Sequence, residues 1–168
     1  MTILTITVSI TAPALANFFR GRTLDSEARR LLALTRHGQS RAASEGIPME
    51  LWVDTAQGTF GLEAQPSYEE SDRKAVELTL DGDIRLEPVY SSASPTAGSS
   101  GTARTVSGGN GAQLVSHHPG LPKVRFLPDG SIDQTSPQVL RLTGRDGSTI
   151  WLAQSRTRLN YEIRTRIN

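Results

Sequence analysis

The first nineteen residues, 1–19, carry no charge, and Arg20 is the first ionisable side chain. Beyond it apolar residues recur three or four apart in an otherwise polar stretch: Leu24, Ala28, Leu31 and Thr35, preceded by Leu15, Phe18 or Phe19, and Arg22. That spacing draws one stripe along a helix. No Gly–Pro cluster divides the two parts, so a single helix is predicted over 1–46, apolar over 1–19 and amphipathic afterwards. Gly46-Ile47-Pro48 marks its end, because glycine accepts the left-handed cap and proline cannot continue the helix.

The apolar part is long enough to meet a bilayer. At 1.5 Å per residue it reaches roughly 28 Å, close to a hydrocarbon core of about 30 Å. Thr2, Thr5, Thr7, Ser9 and Thr11 dilute it, and Pro13 should kink or locally unwind it. A cleaved signal peptide ending at Ala14-Leu15-Ala16 is one alternative, although no positive n-region precedes it. A buried core helix is the other. The expectation is a helix that enters a membrane.

Past Pro48 the period drops to two. Residues 47–54 alternate with Ile47, Met49, Leu51 and Val53 on one face, as in a half-buried strand. Ala56–Thr59 turns the chain and 60–63 returns as a hairpin partner. An acidic connection, 65–72, leads to a strand at 74–80 with Val76, Leu78 and Leu80 inward. Asp81-Gly82 turns into another strand at 84–87. Residues 91–112 hold almost no large apolar side chain and are expected to be a mobile loop. Further strands are read at 123–127, 139–143, 148–153 and 158–163, with turns at Pro128-Asp129-Gly130-Ser131 and Gly144–Gly147. One helix followed by strands argues an α+β fold: the amphipathic half of the helix packs on an antiparallel sheet. The predicted division is a helical segment, 1–46, and a β-rich domain, 47–168.

Charge sharpens this picture only when divided. Residues 20–41 hold six arginines against two acids, 45–87 hold eleven acids against three bases, and 104–168 hold nine bases against four acids. The blocks therefore carry +4, −8 and +5, inside a chain of net +1. Arginines just after an apolar helix start could face anionic headgroups. With no cysteine, thiolate nucleophiles, disulfides and cysteine metal sites are excluded.

Candidate chemistry is sparse. No phosphate-cradling G-x-x-x-x-G-K-[ST] occurs, and Gly108-Gly109-Asn110-Gly111 lacks the spacing of a dinucleotide loop. His37 reads as a surface or packing residue of the helix, and His117-His118 as an exposed pair. Asp81 and Asp83 resemble a fragment of a calcium loop but read better as a turn. No nucleophile, base and orienting group can be assembled from spacing, so the expectation is a non-enzymatic protein without cofactor or metal.

Several features, in order, resemble a family. An apolar segment carries Pro13, Phe18 and Phe19; Ser40-x-Ala42 and Gly46-x-Pro48 then precede the first strand; Val124–Ser131 enters a Pro-Asp-Gly turn; a hairpin and terminal strand follow over 139–163. This is similar to minor pseudopilins of type II secretion and type IV pilin-like proteins of the GspH/FimT kind, over nearly the whole chain outside 91–112. The resemblance implies a pseudopilus subunit held in the bacterial inner membrane by one helix, with its globular domain in the periplasm. Its partners would be other pilin-like subunits and secreted proteins. It also implies assembly through Ile3, Leu4, Ile6, Val8, Ile10, Pro13, Leu15, Phe18 and Phe19. The family's leader peptide, cleavage site and following glutamate are missing, so a short preceding piece is expected upstream of Met1. The alternative is a FimT-like minor pilin that binds DNA. That branch carries Gly-Arg-x-Arg, where this chain has Ser155-Arg156-Thr157-Arg158, and Arg164 and Arg166 follow. A third reading is a membrane-anchored domain unrelated to filaments.

Overall fold

A computed structural model describes residues 2–68, 72–90 and 118–164, with side chains from residue 23 onward. One helix, α1 (Thr2–Glu45), runs unbroken through Pro13. Its cap is the one expected: Gly46 has φ +70° and donates its N–H to the Ala42 carbonyl at 3.0 Å. The 44 residues span about 66 Å.

Eight strands follow among the described residues: β1 (Met49–Asp54), β2 (Thr59–Ala64), β3 (Val76–Thr79), β4 (Ile84–Val89), β5 (Lys123–Phe126), β6 (Val139–Gly144), β7 (Thr149–Gln154) and β8 (Tyr161–Arg164). The fold is α+β, but it has two antiparallel sheets where the sequence suggested one. The first has the order β3-β2-β1-β5 and the second β4-β6-β7-β8. The split falls at Leu80–Asp83, where β3 and β4 are joined by a turn yet pair with different neighbours. On the opposite side Ile132 joins the sheets. It bridges to Phe126 and donates its N–H to the Arg158 carbonyl at 3.0 Å, and Asp133 N–H reaches the Arg125 carbonyl at 2.9 Å.

The helix touches strands of both sheets. Its buried stripe is Leu24, Ala28, Leu31, Thr35, Gly38 and Ala42, the predicted three-and-four spacing carried further along. Against it lie Leu51, Phe60, Leu62 and Phe126 of the first sheet and Leu86, Leu140, Leu142, Leu152 and Tyr161 of the second. Each large apolar side chain so enclosed contributes about 1.5–3 kcal/mol. Gly38 sets how closely helix and sheet approach. A methyl there would stand 2.7 Å from Leu62 Cδ1 and 2.9 Å from the Phe126 ring.

Two local expectations need correction. β1 is covered on both faces: Glu50 and Trp52, predicted to face water, are 4% and 3% exposed. Glu50 is neutralised by Lys123 at 2.6 Å and Arg125 at 3.3 Å, which makes its enclosure tolerable. Trp52 lies over Gly61, where a Cβ would come within 2.5 Å of the indole, and its ring stacks on His118 at 3.9 Å. His118 is thus half-buried against an aromatic ring, while His117 lies outside the described residues. Residues 158–160 are not strand: 155–160 form a closed loop between β7 and β8. The whole of the predicted 91–112 loop, like residues 1, 69–71, 113–117 and 165–168, lies outside the described set.

Candidate functional site

No nucleophilic or metal-binding constellation appears among the described residues, and no group of three His, Asp or Glu side chains there could hold a metal ion. Asp81 and Asp83 stand in a turn, with Asp81 Oδ1 accepting the Asp83 N–H at 3.1 Å. A cavity of about 130 Å³ lies beside this turn, between Thr23 and Leu24 of the helix and Gly144–Asp146. The Asp146 carboxylate at its rim accepts the Ser148 N–H at 3.0 Å and closes its own turn. His37 is exposed on the helix surface.

The sequence-derived assembly residues occupy the first half of α1. Ile3, Leu4, Ile6, Val8, Ile10, Pro13, Leu15, Phe18 and Phe19 all fall within the helical backbone, but their side chains lie outside the described residues. Among the described residues no helix is long and apolar enough to cross a membrane.

Helix and sheets are locked together by charge at the other end of α1. Arg41, 6% exposed at its side chain, donates to Asp72 at 3.0 and 3.1 Å and to Glu45 at 3.2 and 3.1 Å. Asp72 also accepts the Ala64 and Lys74 N–H groups, each at 2.8 Å, and Lys74 Nζ closes the network on Glu45 at 2.9 Å. Burial pushes the Asp72 carboxyl upward, but the hydrogen bonds from Arg41 and the two amides outweigh it and hold the group below the usual carboxylate range. Hydrogen bonds from Arg41 and then Lys74 lower Glu45 as well. Sequence reading missed this cluster, because Arg41 and Asp72 are thirty-one residues apart and no local spacing links them.

The arginines singled out for DNA are divided by the fold. Arg156 and Arg158 stand on the 155–160 loop, Arg164 on β8, and Arg166 lies outside the described residues. The loop is rigidly built. Ser155 N–H donates to the Asn160 carbonyl at 2.8 Å, Arg158 N–H to the Ser155 carbonyl at 3.0 Å, and the Arg158 carbonyl accepts from Ile132. Gln39 of the helix donates its carboxamide to the carbonyls of both Gly130 and Leu159, pinning the loop beside the Pro-Asp-Gly turn. Arg158 has φ +55°, the only non-glycine residue with positive φ among those described. Such a conformation costs about 1–2 kcal/mol and persists only where its surroundings enforce it. Both guanidiniums are exposed and form no salt bridge among the described residues. Arg164 instead faces Glu162 at 3.7 Å.

Comparison of the chain with known protein families, with curated proteins and with solved structures found no match.

Proposed function

We propose that this protein is a non-enzymatic filament subunit, a minor pseudopilin of type II secretion, which assembles through the first half of α1. A compact body of the size of residues 47–168 is roughly 35 Å across. The helix is about 66 Å long, nearly twice that. That disparity carries the proposal. The uncharged segment before Arg20 suits burial among sister helices in a filament core. Small and hydroxyl side chains such as Thr5, Thr7 and Ser9 permit close helix–helix approach and hydrogen bonds in such a setting. Before assembly the same segment would rest in the inner membrane, with the sheets in the periplasm. The work of the subunit is packing and recognition of other pilin-like subunits and of secreted proteins, with no cofactor.

The test is removal of residues 1–19. The shortened protein is expected to leave the membrane fraction and fail to co-purify with other subunits. Membrane association and co-purification equal to those of the full chain would reject the proposal.

One observation favours a second reading, a minor pilin that binds nucleic acid. Arg156 and Arg158 are presented, exposed, on a loop held by three backbone hydrogen bonds and one from Gln39. Phosphate binding by these groups would weaken steeply with salt. Binding that persists unchanged in Arg156→Ala with Arg158→Ala would exclude their role.

A further inference from the structure

We propose that the outer face of the second sheet is a stacking platform for single-stranded nucleic acid, centred on Trp151. The proposal rests on the second reading above and adds the form of nucleic acid and the residue that selects it. Strand register places Arg141 opposite Trp151 and Trp151 opposite Arg164. Their neighbours Leu140, Leu142 and Leu152 are fully buried beneath, so alternation sends this row away from the core. Trp151 is partly exposed, unlike Trp52, which is 3% exposed. Strands about 4.8 Å apart hold the two arginines roughly 10 Å from one another, with the indole between them. The adjacent row on the same face runs Val89, Val139, Ala153 and Glu162; Val89 is 41% exposed and Ala153 is buried.

The charge fits a polyanion. From Val139 to Arg164 five arginines stand against Asp146 and Glu162, a net of +3. Arg145 lies in the turn at one end of β7 and Arg156 and Arg158 in the loop at the other, so β7 runs as a basic track with Trp151 at its middle. Arg141 pairs with Glu87 and Arg164 with Glu162, but all four side chains are 44–50% exposed. Ion pairs so exposed contribute little, so exchange of a carboxylate for a phosphate costs little. A duplex keeps the faces of its bases inside the stack and offers the indole nothing. A single strand offers a base face to stack on Trp151 and phosphates to the arginines on either side.

The experiment titrates the full chain against a dye-labelled oligothymidylate and a duplex of matching length, at low and high salt. Anisotropy is followed together with tryptophan emission. The expected result is tighter binding of the single strand, quenching of the Trp151 emission, and at least about five-fold weaker single-strand binding in Trp151→Ala. Trp151→Phe, which keeps an aromatic face, should retain most of the affinity, and Arg141→Gln with Arg164→Gln should lose it without touching the indole. These two variants keep the test open should Trp151→Ala fold poorly. Equal affinity for single strand and duplex, with loss confined to Arg156→Ala and Arg158→Ala, overturns the platform and leaves the loop reading standing. No salt-dependent binding of either nucleic acid removes both. Loss of co-purifying protein subunits in Trp151→Ala, with single-strand binding unchanged, assigns the face to a protein partner and overturns the proposal.

Discussion

Arg41 and Asp72 meet through two parallel hydrogen bonds of 3.0 and 3.1 Å, with side chains only 6% and 5% exposed. The pair fastens the end of the helix to the segment between β2 and β3. Breaking a buried ion pair from one side leaves an uncompensated charge. Arg41→Ala is therefore expected to lower unfolding free energy by about 3–5 kcal/mol, readable by urea denaturation. A loss below about 1 kcal/mol, the range of exposed pairs, would show the network to be weakly coupled.

The same pair sets a response to acid. The folded-state value of Asp72 lies below its ordinary unfolded value of about 3.9. Its contribution is therefore complete above that unfolded value and fades as the pH falls through the folded one. Glu45 shifts in the same direction and adds to the effect. Melting temperatures are expected to fall below about pH 4 in the wild type. Asp72→Asn should melt lower at neutral pH and show a shallower acid slope; an identical slope would contradict the assignment.

Gly38 offers a test of packing against propensity. Alanine is better than glycine in a helix by about 1 kcal/mol. Here its methyl would press on Leu62 and the Phe126 ring at 2.7–2.9 Å, and overpacking costs about 1–3 kcal/mol. Gly38→Ala is expected to destabilise by roughly 1–2 kcal/mol net, measured by thermal or chemical unfolding. A stabilised variant would mean that the helix can move off the sheet freely.

Much of this architecture was legible in the chain. The stripe Leu24, Ala28, Leu31 and Thr35, the cap at Gly46 and the alternation in most strands are local signals, and local geometry follows from them. What escaped was non-local. Trp52 and Glu50 looked solvent-facing by alternation, because the cover from His118, Lys123 and Arg125 comes from more than sixty residues away. The break into two sheets depends on which strands pair, and period-two patterns are silent on pairing. Arg158 read as strand because its left-handed turn is imposed by Ile132 and Ser155, not by its own preference. Of the candidate sites, the helix front could be read from its lack of charge, whereas the Arg141–Trp151–Arg164 row exists only in the register.

Arg158 separates strain from charge. Arg158→Gly removes the left-handed penalty, about 1 kcal/mol, and the charge together, whereas Arg158→Ala removes only the charge. Thermal stability is expected to rise in the glycine variant and hold in the alanine variant, while both weaken any salt-dependent nucleic-acid binding. Equal stabilities would indicate that the loop relaxes out of the left-handed region.

The central claim is that the front of α1 lies among neighbouring subunits. The chain has no native cysteine, so single cysteines can report on its surroundings directly. Disulfide crosslinking in intact cells of Ile6→Cys and Ile10→Cys, with the fully buried Leu31→Cys and the exposed Ala43→Cys as controls, measures this most directly. The account predicts subunit–subunit adducts from the first two and none from Leu31→Cys. Absence of adducts at residues 6 and 10, with both labelled by a water-soluble maleimide as freely as residue 43, would contradict it.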